Sequence, residues 1–586
     1  MLPNGTASRL GGVSGLPLAH ASGGTHDTTC YGGLSSSSHP RATAAGADML
    51  MRGGNAVDAA IATAFALAVC EPAMSHLGGQ GNMLVHLAAE RRTVALDFYA
   101  CAPGAARPEM YRWLESPTQG DYRFWTEGDR NTTGALAVGI PGNVCGWVTA
   151  HQRWGSLPLP VVVAPAARAA REGVPLTSRM TAFVAEYRDA LTRFPGTAGL
   201  FLRRDGEPKR ESEIIVQPQL ADTIELIGAD GYESFYGGEI ARAIVAHLGA
   251  DGGVLSRDDL ARYPEKLMWV REPDRVSFKG HTILGATPSS SALLLHLLKL
   301  LDGIDFRGFA PLSADQLHLL IEAMKLAFAD RLLHIGDHTQ VNVPLEGLLS
   351  AEYAARRRAL IRHDRASSFR PGDPWTYQRA RPDTTKLTAT TGEAPGHECG
   401  TTHHSHVDRN GNFVSLTQSL GDPFGSGITV PGYGFLLNNA MKLFDPRPGD
   451  RPAGISPYRR PLTPWPTLVC EGETAVLALG SPSGTRIPNT LAQALVNVLD
   501  HGMGLQAATD LPRVHWSGHE FEAESDLPEP VKRELAARGH DVQYRAAGSP
   551  WFGAVQAVGR DPRSGLCHGA ADARREGAVA GVTMAG

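Results

Sequence analysis

Cysteine is scarce and unpaired. The seven residues, Cys30, Cys70, Cys101, Cys145, Cys399, Cys470 and Cys567, are scattered and form no CxxC pair. That argues against a disulfide framework and a cysteine zinc site, and fits reduced thiols in the cytoplasm. An excess of positive charge is missing too: 55 Lys and Arg against 60 Asp and Glu leave a net charge of −5. No field therefore exists to attract nucleic acid or an anionic membrane. No apolar run reaches the ~18 residues of a bilayer span. The Gly/Ser/Ala-rich start, Met1 to Gly24, lacks a basic segment followed by an apolar one, so no signal peptide is expected. Familiar chemical motifs are also absent, among them the phosphate loop GxxxxGK[ST] and the zinc helix HExxH. Gly480 to Gly484 carries Pro482 where a nucleophile elbow needs serine. Asp408 to Asn412 begins like a calcium loop, but Phe413 stands where glycine is required, and the segment reads as a β-turn. His403 points away from His404 and His406 on an alternating strand, so no metal is expected there, and no cofactor is implied.

What is present is an ordinary globular composition, 42% hydrophobic and 20% charged over 586 residues. Residues 1–38 read as a flexible leader, with a loop signal from Gly32 to Ser38. Pro40 suits the first position of a helix running to Met51, and Gly53-Gly54 its end. Asn55 to Cys70, Ala-rich and very apolar, predicts a buried helix. The glycine loop Leu77 to Asn82 leads into a strand from Met83 to His86, with Thr93 to Phe98 as its hairpin partner. From Pro141 to Asp364 the pattern is predominantly helical, clearest at Ala221–Ile227, Gly238–Leu248, Ala292–Leu301 and Ser313–Leu333. Arg365 to Gly396, rich in Pro, Thr and charge, reads as a mobile connector. After Gly400 short strands take over: Thr402 to Val407, an Asn-Gly turn, then Phe413 to Leu420. The tail alternates strands at Ala475–Leu479 and Gly553–Gln556 with helices at Asn489–Asp500 and Glu529–Arg538. Strands at both ends with helices between them predict a mixed α/β body.

Cys399-Gly400-Thr401-Thr402-His403 lies where the connector meets a strand. A threonine hydroxyl is a poor nucleophile unless a base takes its proton. Its own α-amine can serve, provided that Thr begins a chain. Cleavage of the Gly400–Thr401 bond supplies that amine, and a loose segment before a rigid strand suits such self-cleavage.

The surrounding blocks resemble the γ-glutamyltransferase (γ-glutamyl transpeptidase) family of N-terminal-nucleophile hydrolases. They run in family order from His39 to about Val582. They include Gly53-Gly54-Asn55-Ala56-Val57-Asp58-Ala59-Ala60, Gly78-Gly79-Gln80-Gly81, Val138-Gly139-Ile140-Pro141-Gly142 and Pro288-Ser289-Ser290-Ser291. Ala327 to Arg331, Thr401-Thr402-His403, Phe424 to Ile428, Leu436-Leu437-Asn438-Asn439, Gly480 to Arg486 and Asp572 to Arg575 follow. The resemblance implies an α/β fold, a four-layer αββα sandwich with a helical extension. It implies a precursor cut before Thr401 into a large subunit, 39–400 behind the leader, and a small one, 401–586, which stay associated. Thr401 would attack an acyl carbon. Ser419 falls where the family has a second Thr beside the nucleophile. The backbone N–H groups of Ser483 and Gly484 would form the oxyanion hole. Serine is acceptable at 483 unless the position needs a positive φ.

The substrate-binding positions depart from the family. Tyr99 replaces an expected arginine, Gly421 an asparagine, Ala440 a glutamine and Leu443 an aspartate. Thr463-Pro464 replaces a Ser-Ser pair, whereas Asn439 is kept. Together the changes remove the guanidinium that forks onto a carboxylate and the acid that pairs with an ammonium. The expected enzyme is an autoprocessed hydrolase of a non-glutamyl amide, a small molecule. Alternatives are hydrolytic carbon–carbon cleavage beside a carbonyl in natural-product biosynthesis, and a catalytically silent binding relative.

Overall fold

The polar and small residues after Gly400 become two paired strands, Gly400–Asp408 and Phe413–Gly421. Their tight turn is closed by Asp408 Oδ1, which accepts the N–H groups of Asn410 and Asn412 at 2.9 and 3.0 Å. The computed structural model describes residues 26–115, 124–286, 288–379, 400–449, 451–461, 466–516 and 518–582, without the side chains of 288–290. The two strands form the middle of a seven-stranded antiparallel sheet. Its order is Ala578–Gly581, Gly33–Ser37, Gly400–Asp408, Phe413–Gly421, Gln80–Leu87, Arg92–Phe98 and Trp269–Arg271. A second antiparallel sheet of seven strands runs Asp27–Cys30, Cys567–Ala571, Gln556–Arg560, Thr474–Gly480, Thr467–Glu471, His281–Gly285 and Asp274–Phe278. The sheets stack face to face. Leu34, Leu84, Val407 and Phe413 of the first meet Leu284, Leu468, Ala478 and Val558 of the second in a buried layer.

Helices cover the outer faces, completing the expected αββα sandwich. Pro40–Met51 starts as its Pro predicts, with His39 Nδ1 accepting the Arg41 N–H at 3.2 Å. Ala56–Cys70 opens with a reciprocal cap between Asn55 and Asp58, and all of its residues are buried, as a helix apolar on every side must be. Both lie on the first sheet, whereas Pro288–Asp302 and Arg486–Leu499 pack on the second. Helices between Asn143 and Arg262 make the extension.

Three expectations are corrected. The leader ends earlier than residue 38: Asp27–Cys30 and Gly33–Ser37 are strands, one in each sheet. Ser35, Ser36 and Ser37 look like a loop, but each is buried with its hydroxyl bonded, to His406, Gln556 and Thr43. Within the helical stretch, Trp269–Arg271, Asp274–Phe278 and His281–Gly285 are strands too short and too mixed in pattern to stand out. The start of the connector is docked: Ser367 N–H reaches Glu322 at 3.0 Å and Gly372 N–H reaches Asp330 at 2.7 Å. Residues 380–399, the rest of it, lie outside the described residues.

Candidate active site

Side chains alternate along a strand, so Thr401, His403, Ser405 and Val407 face the second sheet while Thr402, His404 and His406 face the helices. Residues directly opposite one another share a face. Thr401 stands opposite Ser419, and Ser419 opposite Gln80. The ladder slips between Gly400 and Thr401, where Gly400 pairs with Gly421 instead of Leu420. Such a bulge re-aims the backbone at the expected scissile bond. Glycine is obligatory there, since a Cβ on Gly400 would lie 2.2 Å from the Asp422 carbonyl oxygen.

Ser419 organises this end of the sheet. Its Oγ donates to the Gly400 carbonyl at 2.5 Å and accepts the Gly421 N–H at 2.9 Å. A hydroxyl has one proton to give. The 2.9 Å contact between Thr401 Oγ1 and Ser419 Oγ therefore runs with Thr401 as donor. The carbonyl of Thr401 accepts the Arg575 guanidinium. Arg575 is carried by the turn at Asp572, whose carboxylate binds Val555 N–H at 2.9 Å, Arg574 at 3.3 Å, and Arg513. Burial raises the Asp572 pKa, but Arg513 and Arg574 more than offset it and hold the carboxyl below its ordinary range.

Behind the nucleophile candidate, Thr402 Oγ1 donates to Glu71 Oε2 at 2.9 Å, and Ser38 Oγ donates to the same oxygen at 2.7 Å. Glu71 is buried at the end of the apolar helix Ala56–Cys70. Neither Glu71 nor Arg575 is singled out by the sequence reasoning. The signal for Arg575 was the matched Asp572–Arg575 block.

Ser483 and Gly484 follow the strand Thr474–Gly480, which crosses directly over His403: a Cβ on Gly480 would sit 2.2 Å from that ring. Their turn thus leaves the second sheet at the Thr401 end. Among the described residues nothing accepts the N–H of either. Ser483 has φ 92° and Gly484 φ 56°. The condition set on serine at 483 is therefore not met. A non-glycine residue at positive φ stores on the order of 1–2 kcal/mol, and Ser483 Oγ, donating to the Pro550 carbonyl at 3.2 Å, helps to hold it.

The substrate-binding candidates divide. Asn439 is committed to the protein: Oδ1 accepts Asp422 N–H at 3.0 Å, and Nδ2 donates to the Thr132 carbonyl at 2.9 Å and to Asp422 Oδ2 at 3.1 Å. Gly421 has φ 102°, and a Cβ there would fall 2.1 Å from Asn439 Oδ1, so no asparagine fits this backbone. Lys442, between buried Ala440 and half-buried Leu443, pairs with Asp422. Tyr99 is buried, and its carbonyl accepts the Tyr263 hydroxyl at 2.7 Å. Thr463 lies outside the described residues.

The histidines are engaged with protein partners. His404 Nδ1 meets His406 Nε2 at 2.8 Å, and His403 Nδ1 meets Thr417 Oγ1 at 2.8 Å. Burial holds His404 down at about 3 and puts His403 and His406 well below the ordinary histidine range, so all three are neutral. His318, Glu322 and His540 also converge. There His318 Nδ1 meets His540 Nε2 at 2.8 Å, joining the helix Ala314–His334 to the tail, and Glu322 is taken by Lys325 of the same helix at 2.7 Å. Among the described residues no helix is long and apolar enough to cross a membrane.

Known proteins share this organisation. The chain is 38% identical over 557 residues to the Acylase ACY 1 proenzyme of Pseudomonas sp. (strain SE83), covering 94% of each. It is 34% identical to the Glutathione hydrolase proenzyme of Bacillus subtilis (strain 168), over 94% of this chain and 92% of that one. The crystal structure of cephalosporin acylase from Bacillus halodurans superposes with a TM-score of 0.83 at 28% identity, covering 98% of this chain and 99% of that one. The Gamma-glutamyltranspeptidase family pattern matches residues 42–582, which include Thr401, Ser419, Ser483, Gly484 and Arg575. The chain belongs to the gamma-glutamyltranspeptidase family of N-terminal-nucleophile hydrolases, among whose members are acylases and glutathione hydrolases.

Proposed function

We propose that this chain is an autoprocessed acylase with Thr401 as nucleophile. The observation that carries the reading is the hydroxyl relay at the bulge, in which Thr401 donates to Ser419 and Ser419 to the Gly400 carbonyl. In the uncut chain Thr401 Oγ1 attacks the Gly400 carbonyl carbon while Ser419 steadies the developing oxyanion. The peptide C–N bond breaks, its nitrogen takes up the proton, and an ester joins Gly400 to Thr401. Water hydrolyses that ester, leaving the Gly400 carboxylate and a free Thr401 α-amine.

That amine then serves as base for the neighbouring hydroxyl. Thr401 attacks the acyl carbon of a substrate amide, the oxyanion falls to the Ser483 and Gly484 N–H groups, and the protonated amine passes its proton to the leaving nitrogen. Water or an acceptor amine takes the acyl group. Residues before and after the cut remain associated, since each sheet is built from strands of both parts, hydrogen-bonded to one another.

A non-glutamyl acyl group is supported by the 38% identity to an acylase proenzyme and by Tyr99, Ala440 and Leu443 in the clamp positions. An ammonium and a carboxylate buried without partners would cost several kcal/mol. Acyl anilides without the glutamyl zwitterion should therefore exceed glutathione in kcat/KM by about 100-fold, at 1.4 kcal/mol per decade. Faster hydrolysis of glutathione would overturn this substrate reading, and equal amine release by Thr401→Ala would overturn the nucleophile.

A further inference from the structure

One polar side chain beside the site has no partner. Gln80 is fully buried, and both Nε2 and Oε1 lack a hydrogen bond. It opens the strand Gln80–Leu87 and stands opposite Ser419, which stands opposite Thr401, so the three side chains share the face between the sheets. Two strand spacings put Gln80 roughly 10 Å from Thr401. Its neighbours on that face are satisfied: Asn82 Nδ2 donates to Asp97 Oδ1 at 3.2 Å, and Thr417 bonds His403 at 2.8 Å. The next charged pair, Asp97 with Arg460 at 3.4 Å, stands one row on, opposite Asn82, and its charges oppose one another although Asp97 Oδ2 makes no hydrogen bond.

A buried amide with neither donor nor acceptor satisfied costs several kcal/mol, and proteins rarely retain one without a ligand or water to meet it. An apolar side chain would fill the same space more cheaply. We propose that Gln80 is a substrate-binding residue: its amide receives a neutral carboxamide at the far end of the acyl chain whose carbonyl is attacked by Thr401. A primary amide offers a planar acceptor and donors side by side, which a second carboxamide matches in both directions. A carboxylate matches only the donors and turns its charge toward Oε1. This assignment rests on the reading of Thr401 as nucleophile and adds to it the class of acyl chain.

The test uses p-nitroanilides of three acyl chains of equal length, ending in a carboxamide, a carboxylate or an isopropyl group. With wild type, the carboxamide chain should exceed the isopropyl chain in kcat/KM by at least about 10-fold, mostly through KM, because a site built around a hydrogen-bonding group discriminates against analogues that lack it. Gln80→Leu should abolish or invert that order while retaining turnover of the isopropyl chain. Gln80→Glu keeps the shape but loses the amide donors, and should lose the carboxamide advantage as well. A gel showing normal cleavage into two fragments establishes that each variant folds, and either variant alone suffices. The same order of substrates in wild type and variant would overturn the assignment and mark Gln80 as a water-filled position. Failure of the underlying reading looks different: wild type would release none of the three chains, or Thr401→Ala would release them equally.

Discussion

The strand Gly400–Asp408 shows two faces of opposite character. Toward the helices the hydroxyl and imidazoles bond protein partners, Thr402 to Glu71, His404 through Nδ1 to His406, and His406 to Ser35, with His404 Nε2 left over. Toward the second sheet, the end at Thr401 keeps capacity in reserve. Gln80 lacks partners, and the Ser483 and Gly484 amides meet no acceptor among the described residues. A largely saturated network holds the backbone, whereas the unpartnered groups beside Thr401 receive something. One strand separates the two tasks because its side chains alternate.

Substitutions on the two faces should therefore fail in different ways. Ser419→Ala, on the reserved face, removes the donor to the Gly400 carbonyl. Self-cleavage, followed by gel band intensities over time, should slow by about 100- to 1000-fold. Ser419→Thr should stay within roughly 10-fold, since it restores the hydroxyl. Thr402→Val, on the saturated face, leaves Glu71 short of a donor and should lower unfolding free energy by about 2 kcal/mol in denaturant titration, with turnover per folded molecule little changed.

Acid should loosen both faces. His403, His404 and His406 are held neutral by burial, so the unfolded chain takes up protons that the folded one refuses. Their contribution is complete above about pH 6.5 and declines as pH falls toward the folded value, about 3 for His404. Between pH 6.5 and 5.5 His404 alone should cost about 1 kcal/mol, visible as a lower thermal midpoint. The smallest effect is expected from Ser483→Gly. It relieves the strained φ and should raise stability by about 1 kcal/mol or less, with kcat within a few-fold of wild type.

Much of this was legible in the chain. Pro40 and the Asn-Gly turn placed their elements because helix-start and turn chemistry are local. The Thr401, Ser419, Ser483 and Gly484 positions came from spaced blocks, and the structure puts Ser419 against Thr401. What stayed hidden depends on partners far along the chain. Ser35 and Ser36 read as loop because the groups that satisfy them, His406 and Gln556, arrive more than 370 residues later. Asn439 looked like a ligand, yet its amide is spent on Asp422 and Thr132. The positive φ of Ser483 follows from the turn between a strand and a helix packed on one sheet, which no local pattern reveals.

The most direct test of the central claim is intact-mass and amino-terminal analysis of purified, active protein beside Thr401→Ala. The account predicts two fragments from the wild type, the smaller beginning with a free amine at Thr401, and one uncut, inactive chain from the variant. Active wild type that remains a single chain, or a variant that splits normally at the same bond, would contradict it.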